Sequence, residues 1–187
     1  LEVAELGAGD GQFTARLWQQ LRQPPPGSRL WLVDRQTPPE PTAVASLAAR
    51  GWEVRPVAAD ALDWLSAFTT GSAQRKSRLD VVYVNLFAHH FALPELRELL
   101  ARCADRTQAF AAAEPRRSSS ALLGAWLLRF IGCNSVTRHD ALVSVRAGFR
   151  GRELSSTWPA ESGWELHEGP AVPFSHRFCA RRIGVSR

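Results

Sequence analysis

A chain of 187 residues, 45% hydrophobic and 22% charged, has the composition of an ordinary globular domain and the length to bury a core without disulfides or metal. No apolar run nears the roughly 20 residues of a membrane span, and no signal-peptide pattern opens the sequence. The net charge of +5 is lopsided: residues 1–94 hold nine basic and nine acidic side chains, residues 95–187 fourteen and nine. A basic second half suits an anionic small molecule or a nucleic acid. Arginines and aromatics do not interleave as in RNA-binding modules, however, so a solvated Arg-rich surface is the expectation. Cys103, Cys133 and Cys179 lie far apart, as expected of free thiols in a reducing cytoplasm, and predict neither a disulfide framework nor a zinc site.

In chain order, strand and helix patterns alternate. Leu1 to Leu6 is a short apolar strand ending at a glycine turn; Phe13 to Arg22 then spaces Phe13, Leu17 and Leu21 along one helical face. A Pro-Gly loop over 23–28 leads to a buried strand, Arg29 to Asp34. A helix over Thr42 to Arg50 ends at Gly51, a strand follows over Trp52 to Ala58, and a third helix covers Ala61 to Phe68. Residues 69–78 read as a polar loop. Leu79 to Asn85 is the fourth strand, Leu93 to Cys103 a helix, and Gln108 to Ala113 a fifth strand ending at Glu114-Pro115. A helix over Ser118 to Ile131 has Ser118 as its candidate N-cap. Beyond Gly132 the pattern weakens until two tail strands, Trp164 to Glu168 and Arg177 to Ile183, joined by the loop GPAVPFSH. Strands alternating with helices of this length predict a single α/β domain over 1–187, with a mostly parallel sheet covered by helices on both faces. Right-handed crossovers then gather the strands' carboxyl ends on one edge, where ligands bind.

The notable residues fall on that edge: the glycines of ELGAGDGQF after the first strand, Asp34 after the second, Asp60 after the third, and Asn85 with two histidines after the fourth. The glycine spacing is G-x-G-x-G, and the last glycine of a dinucleotide turn is replaced by Gln12. Glu5 at the mouth of the turn repels a pyrophosphate and welcomes a cation. Asp34 is placed to hold ribose hydroxyls and Asp60 an exocyclic amine. Together they suggest a positively charged nucleoside such as S-adenosylmethionine.

These segments, with DAL after the third strand, VNLFAHHF after the fourth and EPRRS after the fifth, resemble the class I S-adenosylmethionine-dependent methyltransferases. The small-molecule, ubiquinone- and menaquinone-type group is the most similar. The resemblance implies a Rossmann-like seven-stranded sheet whose last strand is antiparallel, the two tail strands forming its final hairpin. It implies that Gly7, Ala8, Gly9 and Gly11 shape the turn under the methionine part of the cofactor, with Glu5 facing its ammonium. Asp34 would hold the ribose, Asp60 and Ala61 would flank the adenine, and Asn85 and Leu86 would line the methionine side.

Methyl transfer needs alignment and dryness, and a base only where the acceptor must lose a proton. His89 is the first candidate, ahead of its neighbour His90, and either could instead cap or pack under the next helix. His139 with Asp140 is a second candidate imidazole–carboxylate pair. Arg116 and Arg117 could bind an anionic acceptor or only neutralise the surface. VNLFAHHF lacks the N/D-P-P-Y/F-like signature of nucleic-acid amino-methyltransferases, which favours a small, aromatic or lipophilic acceptor. Asp140 and Glu114 are too isolated to predict a metal site. The alternatives are an RNA or protein methyltransferase, or a nucleoside-binding or dehydrogenase domain that transfers no methyl group. Position 1 is not methionine and Leu1 already lies in the first strand. The expectation is therefore a piece of a longer protein lacking an N-terminal helical cap, with weaker cofactor binding than the whole.

Overall fold

The fold is that of a computed structural model in which residues 1–68, 78–127, 135–159, 163–171 and 173–184 are described. Seven strands form one sheet: β1 (Glu2–Leu6), β2 (Arg29–Asp34), β3 (Glu53–Ala58), β4 (Leu79–Asn85), β5 (Thr107–Pro115), β6 (Trp164–Ala171) and β7 (Ser175–Arg182). Their order is β3-β2-β1-β4-β5-β7-β6. The first five run parallel, and β7 is antiparallel to both its neighbours, β5 and β6. This is the expected Rossmann-like sheet with an antiparallel last strand.

Seven helices are described: α1 (Gln12–Gln20), α2 (Pro41–Ala49), α3 (Ala61–Ala67), α4 (Leu93–Arg106), α5 (Ser119–Leu127), α6 (Ser135–Ala147) and α7 (Glu153–Thr157), with a short 3₁₀ turn at Ala88–His90. The period-2 alternation of the strands divides the core in two. On β1, Ala4 and Leu6 join Val82, Val84, Leu99 and Phe110 in one cluster. Val3 faces the other way, with Leu30, Leu32, Leu47 and Tyr83. Buried on both faces, such strands read as continuous apolar runs, and β2 and β4 begin and end where their runs do.

The other boundaries moved for local reasons. The α4 helix continues to Arg106 because Cys103 and Ala104 remain buried in the core, and Arg106 donates to the carbonyls of Phe68 and Ser66. The predicted loop over 169–176 is mostly strand: β6 runs to Ala171 and β7 starts at Ser175, paired across from Pro115 on β5. Ser118 caps α5 through an Ala121 N–H at 3.2 Å. The helices α6 and α7 carried no clear pattern, and α6 is rich in the β-branched residues that lower helix propensity. The predicted polar loop at 69–77, the end of the Ser118 helix at 128–131 and Cys133 lie outside the described residues. Cys103 and Cys179 are free thiols. Among the described residues no helix is long and apolar enough to cross a membrane, and no cluster of side chains is suited to a metal ion.

Candidate functional site

The glycine turn after β1 is left-handed at three positions: Gly7, Gly9 and Gly11 have φ of 71°, 53° and 76°. A side chain at Gly7 would be strained and would also land inside the ring of Phe87, which lies against it. The turn is held by its own amides. Gly7 and Ala8 donate to the Val33 carbonyl at 2.8 and 3.1 Å, Gly11 to the Ala8 carbonyl at 3.0 Å, and Gly9 to Asp34 Oδ2 at 3.0 Å. Gln12 N–H, the first of α1, donates to Asp10 Oδ1 at 3.0 Å.

Beside this turn lies a cavity of about 580 Å³ at the carboxyl edge of the sheet. Of the residues the sequence singled out, Gly7, Asp34, Asp60, Ala61 and Leu86 line it. Asp34 also takes N–H bonds from Gln36 and Thr37, both at 2.8 Å. Partial burial works against the charged form, but the three backbone donors and Arg35 outweigh it, and the Asp34 carboxyl sits below its ordinary range. Asp60 is the N-cap of α3, accepting from Leu62 and Asp63 N–H, with Arg35 3.8 Å from its second oxygen. Its capping role and its place on the cavity wall coexist. Glu95 adds a third carboxylate to the lining.

Five expected contributors, Glu5, Ala8, Gly9, Gly11 and Asn85, do not reach that lining. Ala8 is buried, and Asn85 ends β4 half-buried beside it. Glu5 points, with Val3, to the α1 face of the sheet, where it is only 1% exposed. There the Tyr83 and Thr14 hydroxyls meet at 2.7 Å, and Thr14 donates to Glu5 Oε2. Burial, reinforced by Asp10 and Asp34, pushes the Glu5 carboxyl up to about 9, so it is neutral at pH 7. Burial and the nearby Glu5 likewise raise the Tyr83 phenol.

The end of β4 is organised by a residue that sequence reasoning passed over as a ligand for the site, Glu114. Its carboxylate is fully buried. Oε1 accepts from Phe87 and Ala88 N–H at 3.0 and 2.8 Å, and Oε2 from His89 N–H at 3.3 Å and from the His89 ring Nδ1 at 2.7 Å. The two histidines therefore part company. His89 is only 4% exposed in its side chain and is tied to Glu114, whereas His90 lines the cavity. Their ring centroids lie 4.1 Å apart, the planes tilted by 37°. Burial and the neighbouring His89 hold His90 below its usual value, against the opposing pull of Glu114, so its imidazole is neutral at pH 7. The signal that could have found Glu114 was its position: like Asp34 and Asp60, it is an acid at the carboxyl end of a strand.

His139 and Asp140 do not form the pair considered for them. They are exposed neighbours on α6, about 100° apart around the axis, and neither lines a described cavity. Arg116 donates its N–H to the Phe174 carbonyl. Arg117 pairs with Glu153 and lines a second cavity of about 580 Å³, between the start of α4 and α7, which His89 also lines. A second buried imidazole–carboxylate pair, His176 with Glu168 at 2.7 Å, fastens β7 to β6, and Glu168 also accepts from Leu154 and Ser155 N–H at the start of α7.

No family model and no curated protein matches the chain. Solved structures do. An O-methyltransferase family protein from Burkholderia thailandensis matches with a TM-score of 0.57 at 18% identity, over 98% of this chain and 51% of that one. The mitomycin 7-O-methyltransferase MmcR matches with a TM-score of 0.54 at 15% identity, over 97% and 48%. A structure described as a pericyclic reaction enzyme matches with a TM-score of 0.52 at 15% identity, over 97% and 42%. The chain spans about half the length of these proteins or less. Across that span it has the Rossmann-like fold of these proteins.

Proposed function

We propose that the chain binds S-adenosylmethionine in the first cavity and takes part in methyl transfer to a small molecule. The observation that carries this reading is the fate of the turn's amides. In a dinucleotide site these N–H groups point at a pyrophosphate. Here Gly7, Ala8, Gly9, Gly11 and Gln12 all spend theirs inside the protein. A diphosphate laid on this turn meets no free amide from those residues and faces Asp34, Asp60 and Glu95 across the cavity. That donor set instead suits hydroxyls and positive charge. Asp34 would accept the ribose hydroxyls, Asp60 and the Ala61 backbone would flank the adenine, and Gly7 and Leu86 would border the methionine end. Glu5, buried on the α1 face and neutral at pH 7, is not assigned to the ammonium.

When bound, the cofactor supplies a methyl group on a sulfonium that leaves as a neutral thioether. The chain's own part is to align and to keep water out, and Phe87 and Phe91, packed edge to face at 5.0 Å, form an apolar wall for that purpose. His90, neutral and on the cavity wall, is the base for an acceptor that must shed a hydroxyl proton; Glu114 fixes His89, whose ring packs against that of His90. The likeness to O-methyltransferases supports an acceptor of small size, and the likeness to an enzyme named for pericyclic chemistry supports a second reading, a cofactor-type cleft without methyl transfer.

Titration calorimetry with S-adenosylhomocysteine and, separately, NADH tests the proposal. S-adenosylhomocysteine is expected to bind and NADH not to. Asp34→Asn, which keeps the shape but loses the charge, is expected to weaken binding about tenfold, the worth of one charged hydrogen bond. Preference for NADH would overturn the reading; cofactor binding with no methyl transfer by the full-length protein to any acceptor would favour the second.

A further inference from the structure

The two cavities adjoin, and they are opposite in charge. Phe91 lines both, and the two neighbouring imidazoles are divided between them, His90 in the first lining and His89 in the second. The first holds three carboxylates, Asp34, Asp60 and Glu95, against one guanidinium, Arg35. The second reverses this, with Arg97, Arg117 and Arg152 against Glu153 alone.

Glu153 is already committed. It pairs with Arg117, lies 3.8 Å from Arg150 Nε, and accepts the Arg150 N–H at 3.1 Å. Among the described residues Arg97 and Arg152 have no carboxylate partner. Beside these arginines the lining carries an apolar group, Phe91, Leu93, Leu96 and Phe149, together with the polar His89, Ser156 and Thr157. Both guanidiniums are exposed, and two cations without carboxylate partners beside a partly apolar hollow suit an anion with a hydrophobic body. A volume of about 580 Å³ admits a fused aromatic ring system.

We propose that the second cavity anchors an acidic acceptor, an aromatic or otherwise apolar small molecule bearing a carboxylate, with Arg97 and Arg152 holding the acid. Its reactive end reaches past Phe91 into the first cavity. This deepens the methyl-transfer reading and rests on it for the word acceptor, though the binding of the acid does not. A nucleic acid is the less favoured occupant: the arginines line a hollow of small-molecule size, and among the described residues no row of exposed aromatics extends from it. The bond-making step is unchanged by the assignment. What the anchor sets is which molecules are held long enough to react.

Calorimetric titration of this chain with 3-hydroxy-2-naphthoate and with its methyl ester separates the outcomes. The acid is expected to bind at least tenfold more tightly than the ester. Arg97→Gln/Arg152→Gln is expected to lose that preference while S-adenosylhomocysteine binds as before. No binding of the acid, equal binding of acid and ester, or an acid affinity untouched by the double substitution would overturn the proposal. So would displacement of the acid by a short single-stranded RNA at equal concentration, which would make the surface a nucleic-acid interface. Acid binding that survives in a chain with no affinity for S-adenosylhomocysteine would sink the cofactor reading and leave the anion seat standing.

Discussion

Glu5 illustrates how far one side chain's setting can depart from its position in a motif. The strand's alternation turns it away from the cavity and under α1, where it is neutral at pH 7. An unfolded chain ionises this group near 4.5, the folded one at about 9. Between those values the folded state holds one more proton, so this group's contribution to stability, complete below 4.5, falls by about 1.4 kcal/mol per pH unit until it is lost above 9. Urea unfolding from pH 6 to 9 is therefore expected to show the wild type losing stability with a slope that Glu5→Gln lacks; parallel profiles would refute the assignment. Gly7 is the second critical position. Gly7→Ala places a Cβ at φ 71° and against Phe87. We expect about 1–2 kcal/mol of backbone strain plus the clash, seen as a lower melting temperature, and at least tenfold weaker binding of S-adenosylhomocysteine.

At the level of elements, a single device recurs. A buried acid on a strand fastens a short helical segment by its N–H groups and braces a histidine: Glu114 with the 3₁₀ turn and His89, Glu168 with α7 and His176. Removing one carboxylate leaves several buried donors unpaired. Glu114→Ala is expected to cost about 3–5 kcal/mol in denaturant unfolding and to speed amide exchange at Phe87, Ala88 and His89. Unchanged exchange at those three amides would show that the turn stands without Glu114. Much of this scale was legible in the sequence. Continuous apolar runs marked β2 and β4 to the residue, and Ser118 announced its own helix. The β-branched α6 was not legible because its helix is decided by packing against α5 and β5 rather than by propensity. Nor was the division of labour between His89 and His90. Both sit in one short segment, and only a partner on β5, 25 residues away from His89, distinguishes them. That Asp34 and Asp60 stand at the cavity was legible from their position at strand ends, whereas the orientation of Glu5 needed the register of β1 against β2 and β4.

Taken whole, the molecule segregates charge along its sheet edge, acidic over β1 to β3 and basic beyond β5, and the excess of arginine in the second half of the chain becomes local at the second cavity. Its two hydrophobic cores are unequal. The one shared with α3, α4 and α7 carries Phe110, Trp158 and Phe178, whose ring centroids lie 5.2 to 6.0 Å apart. Phe178 is fully buried where β7 crosses between β5 and β6. Phe178→Ala is expected to cost about 3–5 kcal/mol, read as a lower urea midpoint at unchanged slope. An effect below 1 kcal/mol would mean that the hairpin contributes little to the fold.

The antiparallel insertion of β7 has a consequence for biosynthesis. Made last of the seven described strands, it lies between β5 and β6 and pairs with both. While the ribosome is still adding residues 175–182, β5 offers a bare hydrogen-bonding rim and β6 has nothing to join. A nascent chain stalled at that point is an aggregation hazard, and completion of the sheet waits on those eight residues.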